Sequence, residues 1–388
     1  MNGVSTGFEV QGFVSSGFEA VRDEFERSFA ERGEVGAAFA AVRRGEVVAD
    51  LWGGVADAKT GRPWRDDTLQ LVFSGTKGLV GVALLLLADR GTVDPSAPVA
   101  TYWPEFGAAG KHGLTVREAA SHQARLPGID TPLTEAEVLD DVRMAALLAS
   151  QPPDGDPRAA AYHPLTYGWL CGEVVRRADG RSIGTFFDEE VATPLGLEIW
   201  IGLPESLEDR VSTLTYAANW AGDVGIEEDF ARDELLSRVY ANPRLFPTTH
   251  IPWNTREFHA AEIPGANAIG TARSIARLYG CLANGGEIGG TRLFSARAIE
   301  DATRCLVRRQ DPLLDEPCAY GLGFELQTEI RPLGPPGDAF GYTGAGGSCH
   351  GAWPRQRVGF SYCMNEMRDD EPVDARSRAL LRALYDAL

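Results

Sequence analysis

Apolar and polar positions change period along this chain. Phe18 to Arg32 mixes apolar and charged residues at helical spacing, with Ser15 or Ser16 as candidate caps. Val35–Val42 and Glu46–Trp52 are apolar runs joined by Arg43-Arg44-Gly45, which predicts a β-hairpin. Thr68–Phe73 is apolar and leads into Ser74. A helix follows to about Asp89, stops at Gly91, and carries the longest apolar stretch of the chain, Leu79 to Ala88. From about 92 to 265 few strands are suggested. Helical segments at Val116–Ala120, Glu135–Ser150, Gly168–Ala178 and Ser182–Val191 alternate with loops rich in proline and glycine. Ile226–Tyr240 is acidic and helical in pattern, and Asn242–Thr255 is a long loop of the kind that covers a pocket.

From Ala268 the pattern returns to mixed helix and strand. Thr271–Asn284 and Ser295–Thr303 read as helices, and Tyr320–Thr328, Gly347–Ala352 and Val358–Asn365 as strands. The last two form a hairpin across Pro354-Arg355-Gln356-Arg357, and Arg376–Leu388 is an amphipathic terminal helix. The simplest architecture is an α/β body built from both chain ends, 1–75 and 266–388. A mainly helical domain, 76–265, is inserted between them, with the site in the cleft.

Composition narrows the function. The 388 residues are 44% hydrophobic, enough for a sizeable core, and the net charge is −18. So acidic a chain repels phosphate backbones and anionic membranes, which argues against nucleic acid as a partner. The apolar stretch is too short to span a bilayer. No basic segment followed by an apolar run is visible at Met1, so the cytoplasm is the expected compartment. The six cysteines are scattered and read as free thiols. The six histidines show no metal spacing, and no dinucleotide or phosphate-loop motif appears, so neither metal nor cofactor is expected.

Only three lysines occur: Lys59, Lys77 and Lys111. Lys77 follows Ser74 by three positions, so on a helix the two share one face. A desolvated lysine can lose its proton near neutral pH, whereas arginine cannot. That is what a Ser-x-x-Lys nucleophile needs. The helix N-terminus favours the negative charge of an alkoxide and its oxyanion. Such a spacing also arises by chance, and its place before a buried apolar helix is what raises it. A Ser-His-Asp triad through His122, His163 or His350 lacks its elbow motif: around Ser348 the run is Gly346-Gly347-Ser348-Cys349-His350.

Two further segments make a resemblance specific. Tyr162-His163-Pro164-Leu165-Thr166-Tyr167-Gly168-Trp169-Leu170 and Phe340-Gly341-Tyr342-Thr343-Gly344-Ala345 follow Ser74-x-x-Lys77 in order. Together they resemble the Ser-x-x-Lys, Tyr-x-Asn and Lys-Thr-Gly elements of the penicillin-binding protein and class C β-lactamase superfamily. The phrasing is closest to family VIII carboxylesterases. The resemblance implies a β-lactamase-like fold, an antiparallel sheet flanked by helices with a mostly helical insertion. It makes Ser74 the nucleophile, Lys77 its proton partner and Tyr162 a phenol or phenolate relay. It puts the oxyanion hole at the N–H groups of Ser74 and Ala345, and the substrate pocket around Tyr342, Thr343, Gly344 and His163. As a base, Tyr162 would need its pKa depressed by nearby cations. Tyr167 is the competing tyrosine and reads as core.

Three departures stand out. Pro164 replaces an amide side chain, and Tyr342 replaces the cation that pairs with the carboxylate of β-lactams and peptidoglycan stems. Arg125 stands where a glycine is usual, and nothing in the sequence accounts for it. The first two favour uncharged acyl donors. The expected activity is a serine carboxylesterase acting on small neutral esters through an acyl-enzyme. An acyltransferase using the same residues is the nearest rival. β-Lactamase or DD-peptidase action ranks below it, and a catalytically silent binding protein last. Of Trp103, Trp200, Trp220 and Trp253, all in the insertion, one or two are expected to line the acyl pocket.

Overall fold

The computed structural model describes residues 9–220, 227–331, 333–369 and 374–388. The first residues, read for a leader, and Ile226 lie outside them. The chain opens with β1 (Gln11–Val14), α1 (Glu19–Glu31), β2 (Gly36–Arg43), β3 (Glu46–Asp57) and β4 (Arg62–Pro63). The helices α2 (Gly75–Asp89), α3 (Asp141–Ser150), α4 (Thr166–Asp179), α5 (Glu234–Tyr240) and α6 (Ala272–Ala283) follow, among shorter ones. Then come β5 (Val307–Gln310), β6 (Pro317–Tyr320), β7 (Glu325–Leu326), β8 (Phe340–Thr343), β9 (Cys349–Trp353), β10 (Val358–Met364) and α7 (Ala375–Asp386).

The ten strands form one antiparallel sheet in the order β1-β3-β2-β10-β9-β8-β7-β6-β5, with β4 on β3. Both chain ends contribute, joined where β2 pairs with β10, Phe39 opposite Tyr362. Side-chain alternation sorts the two faces. Phe39, Ala41, Phe360 and Tyr362 pack with Phe25 of α1 and Leu380, Leu381 and Leu384 of α7. Ala40, Val42 and Cys363 pack on the other face with Ile275, Leu278 and Tyr279 of α6. Covered on both faces, β10 is buried along its length and reads as an unbroken apolar run.

Helix α2 is buried from Gly75 to Leu87, as its all-round apolar sequence predicts. Several expectations are corrected. No serine caps α1: Phe18 holds the cap position without a side-chain bond. The helix predicted over Glu135–Ser150 breaks at Asp140, whose carboxylate takes the Arg143 N–H and starts α3 afresh. The segment predicted as a helix over Ser182–Val191 is a short α-helix running into one π-helical turn at Asp188–Ala192. The strand predicted over Tyr320–Thr328 is split into β6 and β7 by a turn, Gly321 N–H to Phe324 O. The cysteines are free, and Cys305 alone is exposed. Among the described residues no helix is long and apolar enough to cross a membrane, and no cluster fit to hold a metal is present.

Candidate active site

Ser74 sits at the N-cap of α2, yet its side chain makes no capping bond. The first helical N–H groups are met by main chain instead: Gly75 by Val72 O, Thr76 by Phe73 O and Lys77 by Ser74 O. That leaves the Ser74 hydroxyl for other partners. Lys77 Nζ lies 3.0 Å away and the Tyr162 hydroxyl donates from 2.9 Å. Phe73, just before it, has a left-handed φ of 45°, a conformation bulky residues rarely adopt and which collects at functional sites. The turn is tied down from behind, since the Thr76 hydroxyl donates to Phe73 O at 2.6 Å and accepts the Ala268 N–H at 2.8 Å.

Lys77 is fully buried, and burial lowers its pKa well below the usual lysine range, outweighing the opposite pull of Glu325. Its amine faces three oxygens: Ser74 Oγ, Pro164 O at 2.6 Å and Gly265 O at 2.7 Å. A neutral amine has two N–H bonds and one lone pair. Donating both to the carbonyls leaves the lone pair for the serine proton. Pro164, which lacks the superfamily's amide side chain, therefore serves through its main-chain oxygen. Gly265 reaches Lys77 because it passes against Gly168, at the start of α4; a Cβ on Gly168 would overlap the Gly265 nitrogen.

Tyr162 is fixed through its backbone, whose N–H donates to Asp311 Oδ2 at 2.7 Å. Its ring lies near Tyr320 and His122, and Lys77 Nζ stands 4.9 Å from the ring centroid. Burial raises the phenol pKa above its ordinary value. Of the phenol and phenolate forms that the sequence leaves open, burial favours the phenol, in keeping with its hydroxyl donating to Ser74 Oγ. Tyr167 is core, its hydroxyl on the Lys77 carbonyl at 3.2 Å.

Ala345 lines the same cavity as Ser74, and among the described residues the N–H of neither donates to a protein acceptor. The loop carrying Ala345 is anchored from the C-terminal helix. Arg376 Nη2 donates to Gly346 O at 3.2 Å, and the buried guanidinium also holds Asp374 at 2.7 Å and Glu34 at 2.9 Å. Gly347 has a φ of 121°, and a Cβ there would overlap Asp374. Thr343 is fixed by the buried Glu325, which accepts its N–H at 3.0 Å and its hydroxyl at 3.1 Å.

Two lobes of cavity meet at Ser74, Tyr162 and Ala345. Thr343 and Gly344 line the polar one. Tyr342 and His163 line neither, which corrects both as pocket residues. Tyr342 alternates to the buried side of β8, where its hydroxyl meets His122 Nε2 at 2.9 Å. His163 Nε2 accepts the Leu126 N–H, so Nδ1–H donates to Ala161 O. Its own N–H goes to His122 Nδ1, which makes His122 an Nε2–H donor to Tyr342. Burial holds both rings neutral, His163 down to about 3. Trp220 and Trp253 line the apolar lobe, while Trp103 and Trp200 pack against core. Arg125 is now explained. Its φ of 57° is why glycine is usual there, and its guanidinium secures the turn through Asp154 O at 2.7 Å and Asp156 O at 3.3 Å. Sequence reasoning missed Asp311, Glu325 and Arg376, which carry no local motif.

The Beta-lactamase family profile matches residues 21–384. The esterase/β-lactamase LipL of Mycobacterium tuberculosis is 35% identical over 380 residues, 94% of this chain and 85% of that one. A family VIII carboxylesterase of known structure superposes with a TM-score of 0.89 at 40% identity, over 98% of this chain and 100% of that one. A penicillin-binding protein homologue from Caulobacter crescentus gives 0.88 at 38% identity, over 98% and 100%. Relatives of both kinds match almost equally, so similarity alone leaves the substrate to be argued from the site. A match spanning residues 21–384, laid over this geometry, makes the chain a member of the β-lactamase family and a β-lactamase-like serine hydrolase.

Proposed function

We propose that this protein is a carboxylesterase that cleaves small uncharged esters through an acyl-enzyme on Ser74. One observation carries the reading: the Ser74 hydroxyl lies 3.0 Å from a buried amine whose pKa burial lowers and 2.9 Å from a buried phenol whose pKa burial raises. Lys77 takes the serine proton as Oγ attacks the ester carbon. The tetrahedral oxyanion is met by the N–H groups of Ser74 and Ala345, a donor of this kind contributing about 2.7–4 kcal/mol. As the carbon–oxygen bond breaks, Tyr162 gives its proton to the departing alkoxide, and the proton held on Lys77 restores the phenol. Water then repeats the sequence on the acyl-enzyme and releases the acid, with serine, amine and phenol as they began.

Charge supports an uncharged substrate. Position 342 supplies no cation, and the Arg331 guanidinium at the polar lobe is committed to Glu316 at 3.0 Å, with Glu325 at 3.8 Å. The name of the family VIII carboxylesterase points the same way, while that of LipL covers esterase and β-lactamase alike. The test is turnover of p-nitrophenyl butyrate by wild type and Ser74→Ala, with nitrocefin in parallel. Butyrate turnover lost in the folded variant, with little nitrocefin cleavage, is expected. Full ester turnover by folded Ser74→Ala overturns the mechanism, and nitrocefin as the better substrate overturns the esterase reading.

A further inference from the structure

The two lobes at Ser74 differ in character. One, of about 270 Å³, is walled by Phe73, Leu165, Leu245, Phe246 and Trp253. Its rings are already packed on one another, Phe73 to Trp253 at 5.4 Å and to Phe246 at 5.6 Å between centroids. The other, of about 420 Å³, presents Glu316, Arg331, Thr343 and Arg368. Tyr240 and Asp369 border both, and among the described residues the Tyr240 hydroxyl is a buried polar atom without a protein partner.

We infer that the apolar lobe holds the acyl group and the polar lobe the alcohol. The substrates are then esters of an aliphatic or aromatic acid with a small, polar, uncharged alcohol. This rests on the ester-hydrolysis reading above and adds the direction in which the ester lies. The argument is microscopic reversibility: the water that cleaves the acyl-enzyme enters where the alcohol left. Water is stable among carboxylates, guanidinium groups and hydroxyls, and not between aromatic and aliphatic walls. Alcohol and water therefore share the polar lobe, and the dry lobe is left to the acyl chain. At roughly 30 Å³ for each water-sized group, the dry lobe takes an acid of about eight or nine non-hydrogen atoms. Arg331 and Arg368 are already committed, to Glu316 at 3.0 Å and Glu366 at 2.8 Å, so neither guanidinium is offered to an anionic alcohol.

Two ester series read the direction on the intact protein. Ethyl esters of acetic, butyric, hexanoic and phenylacetic acid vary the acyl side. Acetate esters of ethanol, hexanol and glycerol vary the alcohol side. kcat/KM is expected to rise about fourfold per added acyl methylene until the lobe is full, so hexanoate exceeds acetate at least tenfold. Hexyl acetate should gain nothing over ethyl acetate, and the glycerol ester should at least match it. A gain on the alcohol side, or a preference for the acetyl group, overturns the assignment while leaving ester hydrolysis standing. Failure of wild type on every ester overturns both. Val239, which lines the apolar lobe, gives a second readout: Val239→Trp should lower the hexanoate-to-acetate ratio at least tenfold. If that variant does not fold, Leu165→Trp is read the same way, and an unchanged ratio overturns the inference.

Discussion

Lys77 Nζ lies 2.7 Å from the carbonyl oxygen of Gly265, a residue 188 positions further along the chain. With Pro164 O, that carbonyl can take both hydrogens of a neutral amine, which would leave its lone pair for Ser74. Because burial lowers the Lys77 pKa, the unfolded chain binds a proton that the folded one does not, between the lowered value and the ordinary 10.5. Stability therefore rises with pH across that window and falls as pH drops through it. Activity should follow the same group. In a pH profile with p-nitrophenyl butyrate, kcat/KM should climb through a single acid limb. It should then stay level past the point where an ordinary tyrosine ionises, since the Tyr162 phenol is pushed up. A rate that falls between pH 7 and 9 would contradict this.

The two tyrosines should separate cleanly. Tyr162→Phe removes the donor to Ser74 and should lower kcat by about 10²–10⁴-fold. The fold should hold, because Asp311 grips the backbone of Tyr162 rather than its ring. Tyr167→Phe removes one bond to the Lys77 carbonyl, costing about 1 kcal/mol of stability and little rate. Steady-state kinetics beside urea unfolding check both.

Arg376 should matter twice over. Arg376→Met strands Glu34 and Asp374 as buried carboxylates without their cation, a loss of about 3–5 kcal/mol by denaturant titration. It also releases Gly346 O, so kcat should fall at temperatures where the variant is still folded.

Gly168→Ala tests the contact behind Lys77. The added methyl group would press on Gly265 and move its carbonyl off the amine. The rate should fall at least tenfold, by the order of magnitude of a misplaced catalytic group, with KM much less affected.

What the sequence made legible followed from short range. Ser74 and Lys77 declare themselves through a spacing of three on one helix, and Tyr162 through the run of residues around it. The strand pair β9 and β10 was visible because both are apolar between turn residues. Asp311 and Glu325 escaped because they act on Tyr162 and Thr343 from far along the chain. The carbonyls of Pro164 and Gly265 escaped for another reason: every residue has one, so identity carries no signal. Tyr342 was misplaced because a motif fixes a position on a strand and not which face its side chain takes.

Phe73 combines two duties. Its backbone makes the left-handed step into Ser74, and its ring is a wall of the apolar lobe. A change of side chain made to widen that wall also resets the turn on which Ser74 stands. Divergence in acyl preference among proteins built this way should therefore accumulate at Val239, Leu245 and Phe246, whose backbones lie apart from that turn, while position 73 stays fixed.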